Sequence, residues 1–358
     1  MSSTTNKSPR DAAPLAVLGA GAWGAAIAGL AARGGRDVRL WMRDPDRAVA
    51  WARDRTDPNG RAHAPVPPSV RPTADLGEAV EAVVGAFVVV PVAATDEVAA
   101  ALAGALSAHG PGPCDAGAPI VVSCAKGLVG PGLTRPSERL AHALPGLPVV
   151  ILSGPNLAAE IARGLPAAAT VAGTDRRAVA RARPWLAGPR FRVYEGNDPI
   201  GAEIAGAYKN VVALAAGMAD ALELGDNAKA ALIARGLAEL VRIGRACGAQ
   251  ERTLYGLAGV GDLVATCASA TSRNHRAGAM LARGASRDAV VGSGVTAEGL
   301  GTVVAVVDFA REAGLRLPIA RAVRSVVEGT RSAEAALRTL LEGAPRPEWE
   351  DGTDRMRP

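Results

Sequence analysis

The run Leu15–Leu18 passes directly into G-x-G-x-x-G at Gly19, Gly21 and Gly24, and then into an Ala-rich stretch reaching Arg33. Four apolar residues followed by this spacing predict a buried strand, a tight turn and a helix. Gly19 allows the turn, Gly21 lets a diphosphate approach the backbone, and Gly24 permits close packing of helix on strand. The free N–H groups and partial positive charge of the helix N-terminus suit a dinucleotide pyrophosphate. The bland alternative is a purely structural glycine turn, but here the motif opens the first β-α unit and a second strand, Val38–Trp41, follows. That strand leads into Arg43 and Asp44. Arg43 at this place favours the 2′-phosphate of NADP(H), and Asp44 keeps NAD(H) as the alternative.

Further strand-like runs are 87–90, 120–123, 149–152, 168–171 and 191–194, with helical stretches at 95–106, 135–144, 157–163 and 176–186. This alternation predicts a parallel, doubly wound α/β sheet of the Rossmann kind over 14–197. From Ile200 onward the chain is Ala/Leu/Val-rich at helical spacing, which predicts an all-α domain over 198–343. Residues 1–13 and 344–358 are expected to be mobile tails. At 358 residues and 49% hydrophobic, the chain can bury two cores. The N-terminal segment has no apolar core of a signal peptide, and the long uncharged runs near 82–95 and 98–114 are broken by Pro91 and by several Gly and Pro, so none reads as a membrane span. Four cysteines without metal-ligand spacing argue against zinc and fit a reducing cytoplasm. The net charge of +5 is spread along the chain, which disfavours nucleic acid and suits small anionic ligands.

Only four of the 40 cationic Lys+Arg residues are lysines: Lys7, Lys126, Lys209 and Lys229. In so arginine-biased a chain, lysine is expected to persist where an ammonium that can exchange its proton is needed. Lys209 and Asn210 fall in the middle of an otherwise apolar helix, an expensive location unless a site solvates them; a snorkelling lysine is the alternative. Ser272, Arg273 and Asn274 offer a guanidinium fork and neutral donors suited to a phosphate monoester, although Ser272 alone also reads as a helix cap. The four histidines carry no motif spacing and are expected on the surface or in loops.

With these in place, an ordered set emerges: the glycine turn, SCAKG at 123–127, SGPNLAAE at 153–160, GAYKN at 206–210, NAKAALI at 227–233, RGLAE at 235–239, Gly261–Leu263 and Ser272–Asn274. Over about 14–342 the chain resembles the bacterial-type NAD(P)-dependent glycerol-3-phosphate dehydrogenases. The resemblance implies a Rossmann domain, a helical domain of the 6-phosphogluconate-dehydrogenase type, and reversible reduction of dihydroxyacetone phosphate to sn-glycerol 3-phosphate for phospholipid synthesis. It also implies a cytoplasmic homodimer using NADP(H) or NAD(H) and no metal. By position, Lys209 matches the proton-transferring residue, with Asn210 beside it, and Lys126 matches a lysine touching substrate and cofactor. Gly154, Asn156, Asp262, Thr266, Ser272, Arg273 and Asn274 match substrate-site positions. Ala22, Trp23, Arg43, Ala158, Arg273 and Glu298 match cofactor contacts.

There are departures. Asn156 stands where many members carry Ser or Thr, VTAEGL at 295–300 differs from the usual Val-Val-Glu-Gly, and RAHAPV at 61–66 replaces a different loop. A specialised paralogue acting on a related triose, another two-domain reductase acting on a phosphorylated or acidic hydroxy compound, and a non-catalytic dinucleotide sensor are the competing readings. A nucleotide-sugar dehydrogenase would need a catalytic cysteine, for which Cys124 is the candidate by location. In the reductive direction a protonated Lys209 would meet the developing alkoxide. Lys126 would lower and Asp262 would raise its pKa.

Overall fold

The computed structural model describes residues 13–58, 60, 64–108, 117–130 and 132–342; most of both expected tails, with Lys7, His63, His109 and Cys114, lies outside them. The chain divides into two units. The first contains an eight-stranded sheet in the order β3-β2-β1-β4-β5-β6-β7-β8. Its strands are β1 (Leu15–Leu18), β2 (Val38–Trp41), β3 (Val70–Thr73), β4 (Gly85–Val88), β5 (Ile120–Ser123), β6 (Val149–Ser153), β7 (Ala167–Ala172) and β8 (Phe191–Gly196). β1 runs parallel to both β2 and β4, with Leu15 opposite Val38 and Gly85. The β2–β3, β4–β5, β5–β6 and β7–β8 pairs are parallel as well. Along β1 successive side chains alternate between two cores: Leu15 and Val17 join one, Ala16 and Leu18 the other. A strand buried on both faces needs this unbroken apolar run. The helices of this unit are α1 (Ala22–Arg33), α2 (Pro45–Asp54), α3 (Leu76–Val80), α4 (Thr95–Ala108), α5 (Pro136–Ala143), α6 (Ala158–Ala162) and α7 (Arg176–Ala182).

The doubly wound α/β expectation holds, with one strand unforeseen. β3 contains Arg71 and Pro72 and lies at the edge of the sheet, beside β2 alone. A proline lacking its N–H is tolerated at such an edge, and it hid the strand in the sequence.

The second unit is helical, from Asp198 onward, and includes two short earlier stretches, 126–135 and 153–155. Its helices are α8 (Pro199–Ala221), α9 (Gly225–Ala246), α10 (Glu251–Leu254), α11 (Asp262–Ala268), α12 (Arg273–Ala282), α13 (Arg287–Gly292), α14 (Gly299–Glu312), α15 (Pro318–Val327) and α16 (Ala333–Leu341). A single π-helical turn, Leu257–Gly261, opens directly into α11, marked by a bond from the Gly261 N–H to the Gly256 carbonyl. α8 begins at the Asp198 N-cap, with Pro199 in its first turn, and buries every residue from Gly201 to Ala219. An apolar surface all around requires neighbours on all sides, and α9, α11, α12 and α14 supply them. Among the described residues no helix is long and apolar enough to cross a membrane.

One buried carboxylate ties α8, α9 and α15 together. Glu239 of α9 has no exposed surface. It accepts hydrogen bonds from the Tyr208 hydroxyl on α8 and from the N–H groups of Ile319 (2.6 Å) and Ala320 (3.2 Å), which would otherwise be orphans at the start of α15. Burial pushes the Glu239 carboxyl up to about 7, against the pull of those three donors and of Arg242. Glu239→Ala strands three buried donors at about 1–3 kcal/mol each. The expected loss, on the order of 3 kcal/mol or more, should lower the thermal midpoint by about 6–12 °C. Calorimetry showing no measurable drop would mean that those donors find other partners.

Candidate active site

The two interior lysines converge on a single carboxylate. Lys209 Nζ donates to Asp262 Oδ1 at 2.7 Å and to Thr266 Oγ1 at 2.7 Å. Lys126 Nζ donates to Asp262 Oδ2 at 2.6 Å and to the Gly154 carbonyl at 2.9 Å. Asp262 and Thr266 are four residues apart on α11, one above the other on the same helix face, and Thr266 also donates to Asp262 at 3.2 Å. Asp262, Thr266 and Lys209 are buried, while Lys126 is partly exposed. Lys229 is the exception among the lysines singled out: it pairs instead with Asp220, at 2.9 Å.

Electrostatics in this cluster are dominated by desolvation. Burial lowers the Lys209 ammonium to about 8 from an ordinary value near 10.5, Asp262 opposes the change and Lys126 adds to it. Burial works to raise the Asp262 carboxyl, but the Lys126 and Lys209 ammoniums outweigh it and hold it below the usual carboxylate range. The balance that sequence left between the two neighbours is thus decided by a third effect, removal from water.

A chain of amides joins this cluster to the Ser272–Asn274 segment. Asn210 donates to the Lys126 carbonyl at 2.9 Å and accepts from Asn274 at 2.8 Å. Asn274 in turn accepts from the Gly299 N–H at 2.9 Å, at the start of α14. α12 can approach because two glycines remove the intervening side chains. A Cβ at Gly217 would lie 1.9 Å from the His275 carbonyl oxygen, and one at Gly278 would lie 2.0 Å from that of Leu214. Ser272 is the N-cap of α12, accepting from the His275 N–H at 3.3 Å. Arg273 follows it; burial of its guanidinium pulls its pKa down and Glu298, just before α14, pulls it back up. The pair therefore lies within electrostatic reach, and an arginine stays charged regardless.

His275 departs from expectation. It is buried, and its ring Nε2 lies 2.8 Å from Asp220 Oδ2, so it joins α12 to the end of α8. A carboxylate closing a long apolar helix was the sequence signal available for this partner. His142, by contrast, is exposed. Cys124 is buried with Sγ 3.7 Å from the Val122 carbonyl, and burial pushes the Cys267 thiol up to about 12, so neither is arranged as a thiolate nucleophile. Among the described residues no group of His, Cys, Asp or Glu could hold a metal.

The remaining candidates belong to the first unit. Gly21 is the N-cap of α1 and no side chain caps that terminus. A Cβ at Gly21 would meet nothing within 4 Å, whereas one at Gly24 would lie 1.8 Å from the Gly19 carbonyl oxygen. An open face at Gly21 and closed packing at Gly24 fit a bound diphosphate. Gly19 has φ +116°, a conformation that suits glycine. Ala22 and Trp23 form the first turn of α1 and are partly exposed. Arg43 is exposed and lies 3.7 Å from Glu97, while Asp44 is committed to capping α2 through the Arg47 N–H at 3.1 Å. Asn156 donates to the Ala168 carbonyl at 3.1 Å, and Ala158 opens α6.

Two family profiles match the chain: NAD-dependent glycerol-3-phosphate dehydrogenase N-terminus over residues 14–179, and its C-terminus over 198–338. A Thermus thermophilus protein named glycerol-3-phosphate dehydrogenase (NAD(P)+) is 45% identical over 336 residues, covering 93% of this chain and 99% of that protein. One of the same name from Thioalkalivibrio sulfidiphilus is 42% identical over 338 residues, covering 94% and 99%. The crystal structure of glycerol-3-phosphate dehydrogenase from Coxiella burnetii superposes with a TM-score of 0.85 at 34% identity, over 92% of this chain and 99% of that one.

With four lysines in the chain, their ε-carbon resonances form a small NMR spectrum. Lys209 is expected to titrate near pH 8. Asp262→Asn removes the opposite charge and should move that midpoint further down. A wild-type midpoint above about 10, or one unmoved by the substitution, would contradict the electrostatics described above.

Proposed function

The chain belongs to the NAD-dependent glycerol-3-phosphate dehydrogenase family, and we propose that Lys209 transfers the proton when it reduces dihydroxyacetone phosphate to sn-glycerol 3-phosphate. The observation that carries this reading is the buried amine of Lys209, held by Asp262 and Thr266 beside a second lysine bound to the same carboxylate. An ammonium has three N–H donors. Lys209 gives two to Asp262 and Thr266, and the third is assigned to the substrate carbonyl oxygen. Lys126 likewise gives two to Asp262 and Gly154, leaving one for the substrate.

The uncapped start of α1, with Gly19, Gly21, Ala22, Trp23 and Gly24, would hold the dinucleotide diphosphate, and the bound, reduced nicotinamide supplies the hydride that the carbonyl carbon takes up. As negative charge develops on the carbonyl oxygen, Lys209 and Lys126 stabilise it through preplaced donors in a water-poor setting. Lys209 then delivers a proton from Nζ. With a pKa near 8 it is mostly charged at neutral pH, yet close enough to neutrality to take the proton back in the oxidative direction. Asp262 keeps both ammoniums in place and stays ionised, so it is a counter-charge and not the acid. Arg273, with the Ser272 and Asn274 donors, holds the phosphate, and that remote binding orients the carbonyl. Asn210 holds the Lys126 segment and α12 in register. Glu298, acting on Arg273, and Arg43 and Ala158 of the first unit complete the cofactor contacts proposed from the family pattern. A cytoplasmic homodimer is supported by the cysteine usage and the Ala/Leu-rich helices.

Lys209→Ala should lower kcat by about two to four orders of magnitude while leaving dinucleotide affinity unchanged, because one positioned acid–base group contributes in that range. Turnover near the wild-type rate would remove Lys209 from its role. Arg273→Ala should raise KM for dihydroxyacetone phosphate far more than for unphosphorylated dihydroxyacetone. Equal effects on the two ketones would place the phosphate elsewhere.

A further inference from the structure

The glycine-rich turn of the first unit is tied down by a residue outside the glycine pattern and outside the motifs quoted above. Arg47 of α2 donates through Nη2 to the carbonyl of Ala20 at 2.5 Å, and Ala20 lies between Gly19 and Gly21. The same guanidinium forms a fork with Asp57, Nε to Oδ1 and Nη2 to Oδ2, both at 2.9 Å. The Asp57 side chain has no exposed surface, and Arg47 retains only 11% of its own. The Arg47 guanidinium carbon also lies 5.2 Å from the centroid of the Trp51 ring. A planar fork with a buried partner and an aromatic ring beneath it has little freedom left.

The charge of Arg47 is matched by Asp57, so a fixed donor, more than net positive potential, is what it brings to the turn. The peptide joining Ala20 to Gly21 is planar. Fixing its carbonyl therefore also fixes the direction of the Gly21 N–H, at the uncapped start of α1. We infer that Arg47 is a positioning residue for the dinucleotide turn, acting through the Ala20 carbonyl on the affinity for the diphosphate portion that NADPH and NADH share. This rests on the dinucleotide reading given above. Lysine cannot replace it, because an ammonium carries charge without the fork.

The test is titration of nicotinamide fluorescence with the full-length protein, its Arg47→Met and Arg47→Lys variants, and Asp57→Asn. Both Arg47 variants are expected to weaken NADPH and NADH alike by about tenfold, the equivalent of one lost hydrogen-bonded contact. The kcat at saturating cofactor and the KM for dihydroxyacetone phosphate should stay at their wild-type values, which a general loss of structure would not allow. If Arg47→Met fails to fold, Asp57→Asn, which keeps the guanidinium but loosens its fork, carries the same expectation for both dinucleotides. An unchanged Kd in the folded variants overturns the inference, as does restoration of affinity by Arg47→Lys. A loss confined to NADPH also overturns it, since Arg47 would then serve the adenosine 2′-phosphate. Failure of the unaltered protein to bind either dinucleotide would instead remove the reading beneath it.

Discussion

A buried carboxylate shared by two ammoniums is the constraint on which the second unit depends. Burial alone would raise the Asp262 carboxyl, and the buried Lys209 ammonium relies on Asp262 to oppose its own desolvation. Removing one partner from such a buried set costs about 3–5 kcal/mol, far more than an exposed ion pair contributes. The set also leaves an excess of one positive charge. A phosphorylated substrate bound there, as proposed, would meet charge that the fold has already concentrated and partly desolvated.

The polar cluster is possible because α8 is apolar almost everywhere else. Tyr208, Lys209 and Asn210 are consecutive, so they point around the helix in different directions about 100° apart. Each finds a separate partner: Glu239 for Tyr208, Asp262 for Lys209, and the Lys126 carbonyl and Asn274 for Asn210. Four neighbouring stretches are thereby keyed to one turn of one helix. The glycines at 217 and 278 let α12 come close enough for the amide chain to close, and the His275–Asp220 contact secures the same crossing further along.

Much of this was legible in the sequence because its signals were local. The apolar run into the glycine turn, the seven strand-like runs and the long apolar helices all announce themselves over a few residues. β3 did not, since Arg71 and Pro72 break the apolar pattern that a central strand would need. α12 was hidden by polar side chains at its start, which read as a loop whose Ser272 might cap something. The grouping of 126–135 and 153–155 with the helical unit has no local signature at all, as it depends on contacts made by residues far apart in the chain. Lysine scarcity singled out Lys126, Lys209 and Lys229 alike, and it could not separate the two that share Asp262 from Lys229, which pairs with Asp220. His275 was misread because burial of a histidine depends on what crosses it, and spacing along the chain carries no trace of that.

The π-helical turn before Asp262 has a consequence for how the site can change over time. A turn closed five residues back winds more slowly than an α-turn, so it sets the rotational phase of everything that follows. Asp262 and Thr266 share a face and therefore share that phase. A one-residue insertion or deletion between Leu257 and Gly261 that the turn did not absorb would rotate both acceptors together by about 100° while altering neither of them. Sequence drift in this stretch is thus limited by angle more than by chemistry, and its small apolar residues guard a direction.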